Sequence, residues 1–196
     1  AVRAAYLYSA MADNAYEYED EALFETCCKL FENIVTKKMY ITGGIGSSNN
    51  GEAFTIDYDL PNLTAYNESC ASIGLIMFAQ RMLKMAPDSL YSDVVERVLY
   101  NSLLSSISLK GDSFFYENPL EVFPDMITRD TSVTKPKSYL PSPRRFEMFT
   151  CSCCPPNIAR FIGSLGSLLY HFTDNTVFVH QYMSSSTCIH TDEGEI

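Results

Sequence analysis

The sequence predicts a mainly α-helical protein in which a helical domain runs into a β domain near the C-terminal end. Two observations support this class. Apolar residues recur every three to four positions over most of the chain, whereas the last segment alternates with the period of two that strands have. The chain has 196 residues, 46% of them hydrophobic and 13% aromatic, which is enough to build a sizeable core.

The sequence predicts four helices over about 1–18, 20–36, 69–85 and 88–107. The first is rich in Ala and Tyr without a helix breaker, and the second and fourth show apolar residues at helical spacing. In the second helix Cys27 lies on the apolar face, so we interpret Cys27 and Cys28 as packing residues. The third helix is apolar nearly all round, which predicts burial on every side.

The remaining segments are less regular. A glycine-rich loop at 42–51 breaks the helical period, and Phe114 to Tyr116 form a short strand candidate. Several prolines exclude long helices from the stretch 111–149; they are Pro119, Pro124, Pro136, Pro141 and Pro143. Pro155 and Pro156 open a fifth helix whose apolar stripe runs to Phe172, and 176–182 and 186–190 alternate like strands.

The charge and the composition of the chain argue against two classes of binding partner. The net charge of −10 and a pI near 4.7 argue against binding to nucleic acid. The apolar stretches are far shorter than the roughly 20 residues of a membrane-spanning helix, so we expect no membrane partner. The chain begins at Ala1 inside a helix-like segment, and we therefore expect a fragment. Reduced thiols favour a cytoplasmic location. A homodimer is a possible oligomeric state.

Two cysteine-containing clusters predict a metal site. Cys151, Cys153 and Cys154 crowd together directly before a predicted helix, where exposed amides and the helix dipole favour thiolates. Buried thiols without chemistry are the alternative. Glu68 and Cys70 stand at the start of another helix, where a glutamate alone is often only a capping residue. Taken together, Glu68, Cys70, Cys153 and Cys154 form a set of four ligands that suits tetrahedral Zn²⁺.

Glu52 directly follows the glycine-rich loop and is a third candidate, although a lone glutamate in a loop is usually only solvated. The same loop does not predict a dinucleotide site. Asn49 stands where that fingerprint needs its third glycine, and no βαβ unit follows.

These motifs resemble glycoside hydrolase family 127, the bacterial β-L-arabinofuranosidases, with family 146 as a close relative. The resemblance covers essentially the whole chain, and its most specific part is the cysteine motif with its two prolines. It rests on the segments AVRA at 1–4, YITGGIGS at 40–47, GEAF at 51–54, YDLPN at 58–62, YNESCA at 66–71 and CSCCPPN at 151–157.

The resemblance implies an (α/α)6 barrel with the active site, followed by β-sandwich domains. Residues 1–172 would be a partial catalytic barrel, and residues 173–196 the start of a β-sandwich domain. Cys153 resembles the nucleophile, Glu52 the general acid/base, and Tyr116 a substrate-binding tyrosine. The zinc ligands implied are Glu68, Cys70, Cys153 and Cys154. The implied activity is retaining hydrolysis that releases L-arabinose from an arabinose-containing oligosaccharide or glycan.

Three other interpretations stay open at this stage. The same machinery could accept another sugar, because the pocket walls rather than the metal motifs set substrate choice. The second interpretation is a structural-zinc or redox module, because Cys151 and Cys154 form a Cys-x-x-Cys pair. The thioredoxin-like βαβ unit that usually surrounds such a redox pair is not predicted here. A carbohydrate-binding fragment without activity is the third.

Overall fold

The computed structural model describes residues 1–122, 140–173, 176–191 and 194–195, and in these ranges the chain is mainly α-helical. The helices are α1 (Val2–Glu17), α2 (Glu21–Asn33), α3 (Ser69–Met85), α4 (Ser89–Arg97) and α5 (Cys154–Gly163). The strands are β1 (Tyr170–Thr173), β2 (Thr176–Val179), β3 (His190–Thr191) and β4 (Gly194–Glu195). No helix in the described ranges combines the length and apolarity needed to cross a bilayer.

The first four helices lie where the sequence predicts them. Asp20 and Asp88 start α2 and α4, and their carboxylates accept hydrogen bonds from the backbone N–H groups of Leu23 and Leu90 at 2.9 and 2.8 Å. Regular α-helix ends earlier than predicted in both. Wider π-type turns continue them over Ile34–Lys38 and Val98–Leu103, and a 3₁₀ turn follows at Leu104–Ser106.

Helix α3 forms the centre of the core and packs against α1, α4 and α5. Its side chains are buried on nearly all sides, which confirms the prediction from its uniform apolarity. Phe78 of α3 meets Phe31 of α2 edge to face, with ring centroids 5.3 Å apart. Cys27 is also fully buried in this core, and Cys28 packs against it, as predicted.

The helix predicted from Pro155 through Phe172 is shorter than expected. Helix α5 ends at Gly163, a 3₁₀ turn covers Leu165–Leu168, and Phe172 lies in β1. The cause is local, since Gly163 and Gly166 have low helix propensity and Ser164 leaves the helical conformation at φ −108° and ψ 7°. The apolar stripe thus continues past the point where the backbone stops being helical.

The strand candidate at Phe114 to Tyr116 is also corrected. Phe114 forms isolated bridges with Ile107 on one side and Phe146 on the other, so the segment is extended without becoming a strand. Each partner contributes a single paired residue, which is too little for a ladder. Of the prolines used to exclude long helices, Pro124 and Pro136 lie outside the described residues.

Short antiparallel strands follow the helices. Strand β1 pairs with β2, and β3 pairs with β4. Phe178 is partly buried between the exposed Val177 and Val179, which confirms the predicted alternation over 176–179. The strands predicted over 176–182 and 186–190 are shorter than expected, since β2 ends at Val179 and only His190 of the second range lies in a strand.

Candidate metal centre and active site

Two helix N-termini carry the candidate ligands. Glu68 is the residue that precedes α3, and Cys70 lies in the first turn of that helix. Cys153 precedes α5, and Cys154 is its first residue, with prolines next where a helix accepts them. The packing of α3 against α5 brings together two segments that are more than eighty residues apart in the chain.

The four ligand atoms lie in one compact group, all within 4.8 Å of one another. The Cys70 sulfur is 3.4 Å from that of Cys154 and 3.8 Å from that of Cys153. The Oε1 atom of Glu68 is 3.5 Å from the Cys153 sulfur and 3.6 Å from the Cys154 sulfur. Glu68, Cys70 and Cys154 are buried, and Cys153 is partly exposed. The group therefore has the composition and size to hold a metal ion.

The electrostatics of the cluster also favour a cation. Burial raises the pKa of the Glu68 carboxyl and raises the pKa of the Cys153 thiol to about 12. The hydrogen bond between Cys70 and Cys154 lowers the pKa of the first thiol and raises that of the second. Without a cation, these crowded groups cannot all ionise. The second carboxylate oxygen of Glu68 is buried and has no hydrogen-bond partner, which is a further sign that the donor set fits a metal.

Tyr116 lies against the cluster. Its hydroxyl is 3.2 Å from the Cys153 sulfur, within hydrogen-bond distance. The segment around it is tied to the start of α3, because the backbone N–H of Ser69 donates to the Tyr116 carbonyl at 3.0 Å. The Asn118 amide also donates to the Asn67 carbonyl at 2.8 Å. Tyr116, interpreted from the sequence as a substrate-binding residue, thus contacts the sulfur of Cys153.

Glu52 reaches the same region from a tight hairpin in which Ser48 and Ala53 pair. Its backbone has φ +52°, a left-handed conformation that is costly for a residue with a Cβ atom. The Tyr66 hydroxyl donates to Glu52 Oε1 at 3.1 Å. The Tyr66 ring meets that of Tyr116 edge to face, with centroids 6.2 Å apart. Two tyrosines therefore connect Glu52 to Cys153.

Tyr66 is a site residue that the sequence analysis missed. It stands two positions before Glu68 in a motif that was already singled out for its carboxylate and thiol. The sequence contains little indication of a functional role for Tyr66, because a tyrosine beside a helix start can equally be a packing residue.

A cavity of about 340 Å³ lies beside Tyr116, which lines it. Phe149 contacts both Tyr116 and Phe146 edge to face, with centroids 5.5 and 5.7 Å apart. Arg144 and the exposed Cys151 also line the cavity. Its size is in the range of small-molecule sites, and four of its nine lining residues are aromatic.

Comparison with known families identifies the chain. Residues 1–167 match the family model described as the catalytic domain of the GH127 β-L-arabinofuranosidases. The chain belongs to glycoside hydrolase family 127. This GH127 chain is 42% identical over 188 residues to the non-reducing end β-L-arabinofuranosidase of Bifidobacterium longum subsp. longum. The match covers 95% of the chain and 28% of that relative.

Solved structures agree with this assignment. A GH127 β-L-arabinofuranosidase from Geobacillus stearothermophilus T6 has a TM-score of 0.88 and 48% identity, covering 98% of this chain and 29% of its own. A second GH127 β-arabinofuranosidase has a TM-score of 0.85 and 42% identity, covering 99% of this chain and 28% of its own. The GH127 chain thus spans less than a third of the length of these relatives.

Proposed function

We propose that this GH127 chain supplies the nucleophile and the general acid/base of a retaining β-L-arabinofuranosidase that acts on arabinose-containing oligosaccharides or glycans. The observation that carries this proposal is the position of Cys153. Its sulfur belongs to the four-ligand group and contacts Tyr116. The Tyr116 ring contacts the ring of Tyr66, whose hydroxyl donates a hydrogen bond to Glu52. The names of the relatives in the family support the same substrate class.

Zn²⁺ is the metal that best fits one carboxylate and three thiols. Glu68, Cys70, Cys153 and Cys154 would hold it. When bound, zinc supplies positive charge that keeps cysteine sulfur ionised at neutral pH. At Cys153 this opposes the effect of burial, which raises the pKa of the thiol to about 12.

Catalysis proceeds in two displacements at the anomeric carbon. The Cys153 thiolate attacks that carbon as the glycosidic C–O bond breaks, and Glu52 gives its proton to the departing oxygen. A C–S bond then joins the sugar to the enzyme. The Glu52 carboxylate next takes a proton from water, the water oxygen attacks the anomeric carbon, and the C–S bond breaks. The products are L-arabinose with retained configuration and the original thiolate.

The domain organisation is part of the same proposal. Residues 1–172 form part of an (α/α)6 catalytic barrel, and residues 173–196 begin a β-sandwich domain. The packed helices α1 to α5 support the first assignment. Strands β2, β3 and β4 lie in 173–196 and pair in an antiparallel way, which supports the second assignment, and β1 (Tyr170–Thr173) crosses the proposed boundary.

Metal analysis combined with hydrolysis tests the function. In the complete protein that contains this chain, we expect about one tightly bound zinc per chain and cluster thiols that react with an alkylating reagent only after chelation. Hydrolysis of a β-L-arabinofuranoside, followed by NMR, should show the retained anomer first. Absence of zinc together with freely reactive cysteines would overturn the metal assignment. Bound zinc without hydrolysis would favour a structural-zinc or carbohydrate-binding role.

A further inference from the structure

The hydroxyl group of Tyr66 is unusually well placed next to Glu52. It donates to Glu52 Oε1 at 3.1 Å, and the Tyr66 side chain is buried, with 7% of the residue exposed. Among the residues that the structure describes, Tyr66 is the only side chain hydrogen-bonded to this carboxylate. The second carboxylate oxygen of Glu52 has no such neighbour in the described part of the chain.

The backbone around Tyr66 is fixed on two sides. Its N–H donates to the Ser47 carbonyl at 3.4 Å, and its carbonyl accepts from the Asn118 N–H at 3.2 Å. The next residue, Asn67, lies so close to Gly44 that a Cβ atom there would come within 1.8 Å of the Asn67 side chain. The glycine-rich loop and the segment after Tyr116 therefore both fix the position of Tyr66.

The backbone of Glu52 is also held, since its N–H donates to the Asn49 carbonyl at 3.2 Å and its carbonyl accepts from the Ala1 nitrogen. The Glu52 side chain, however, is less confined than that of Tyr66. Glu52 sits at the end of a short hairpin with a left-handed backbone, and its side chain is partly exposed. A carboxylate in such a loop has several rotamers of similar energy unless a partner selects one. The hydrogen bond from a rigid, buried tyrosine is the kind of contact that makes this selection.

We propose that Tyr66 is a positioning residue, which holds one oxygen of the Glu52 carboxyl so that the other oxygen carries the catalytic proton. This inference rests on the proposed function, in which Glu52 acts as acid and base. In the first displacement, the Glu52 oxygen that is not bonded to Tyr66 gives its proton to the glycosidic oxygen of the leaving group. In the second, the same oxygen accepts a proton from water. Tyr66 keeps its own proton throughout and does not contact the substrate in either step.

The test is Tyr66→Phe in the complete, zinc-loaded protein, which removes only the hydroxyl. We compare kcat/KM for two β-L-arabinofuranosides, a p-nitrophenyl glycoside and an alkyl glycoside. The alkyl leaving group needs protonation and p-nitrophenolate does not. We expect a loss of about tenfold for the alkyl glycoside and less than about twofold for the p-nitrophenyl glycoside, with zinc content unchanged.

Tyr40→Phe is the matched control. Tyr40 is also buried, but its hydroxyl donates to the Pro61 carbonyl at 3.2 Å instead of to Glu52. Removing that hydroxyl should change stability without producing a dependence on the leaving group.

The outcomes separate this inference from the proposed function. Equal losses for both glycosides in Tyr66→Phe, or loss of zinc, would overturn the positioning role and indicate a structural one. Glu52→Gln is measured in parallel. If it shows the leaving-group dependence and Tyr66→Phe does not, only the inference about Tyr66 is wrong. If Glu52→Gln shows no dependence either, the acid role of Glu52 and the inference both fail.

Discussion

The sulfur cluster and the candidate acid/base are held in place in different ways. Glu68, Cys70, Cys153 and Cys154 stand at the N-termini of two packed helices and point into one buried group. Glu52 stands on a hairpin with a left-handed backbone and one described side-chain partner. The cluster is placed by the core, whereas the glutamate is placed by a loop.

This difference follows from what each group needs. A metal site needs several donors at fixed mutual distances, and helix ends supply rigid positions together with a dipole that favours anions. An acid/base must exchange a proton with substrate and water, so it needs access on one side. The loop position gives Glu52 that access, at the cost of a strained backbone that its neighbours must stabilise.

The largest effect is expected from Cys153→Ser in the complete protein. A serine hydroxyl is a weaker nucleophile and a poor zinc ligand, so turnover should fall by at least about 10⁴-fold, and zinc content should fall as well. Steady-state hydrolysis and elemental analysis measure the two losses.

Cys151→Ser is the control for the metal, because Cys151 is exposed and lies outside the four-ligand group. It should keep its zinc. Hydrolysis that persists at the original rate in Cys153→Ser would remove Cys153 from the role of nucleophile and leave it as a ligand at most.

Glu52→Gln should have the next largest effect. The amide cannot give a proton to the departing oxygen, so cleavage of substrates with poor leaving groups should slow by about 10²- to 10⁴-fold. Zinc content should stay the same, since Glu52 lies outside the ligand group. Losses of the same size for good and poor leaving groups would contradict the acid role.

The smallest effect concerns the hairpin that carries Glu52. Gly51 has φ +70° and open space around the position of a Cβ atom, so Gly51→Ala should cost about 1 to 2 kcal/mol of stability from backbone strain alone. Because Glu52 comes next in the chain, we also expect activity to fall about five- to tenfold as the carboxylate moves.

Gly111→Ala is the matched control. Gly111 has φ +75° and the same open surroundings, but it lies in a different loop. Both variants should lower the melting temperature to a similar extent, and only Gly51→Ala should lower kcat/KM. Similar activities for the two variants would show that the hairpin tolerates the change without moving Glu52.

Several features of the molecule could be predicted from the amino-acid sequence because they depend on neighbouring residues. Apolar periodicity located α2 and α4, and continuous apolarity located α3. The structure adds that the Asp20 and Asp88 side chains cap the helices that follow them. The predicted length of α5 was wrong, because the apolar spacing continues beyond the last helical residue. Phe172 fits a helical stripe, yet Gly163, Ser164 and Gly166 end the helix before it.

The residue types of the candidate site were also visible in the sequence, since a carboxylate and three thiols at two helix starts suggest a metal site wherever the chain places them. Their convergence was not visible, because the packing of α3 against α5 brings the two segments together, and spacing along the chain does not encode it. The same holds for Tyr66. Only the folded loops place its hydroxyl against Glu52, because contacts between distant residues depend on the whole core and not on local pattern.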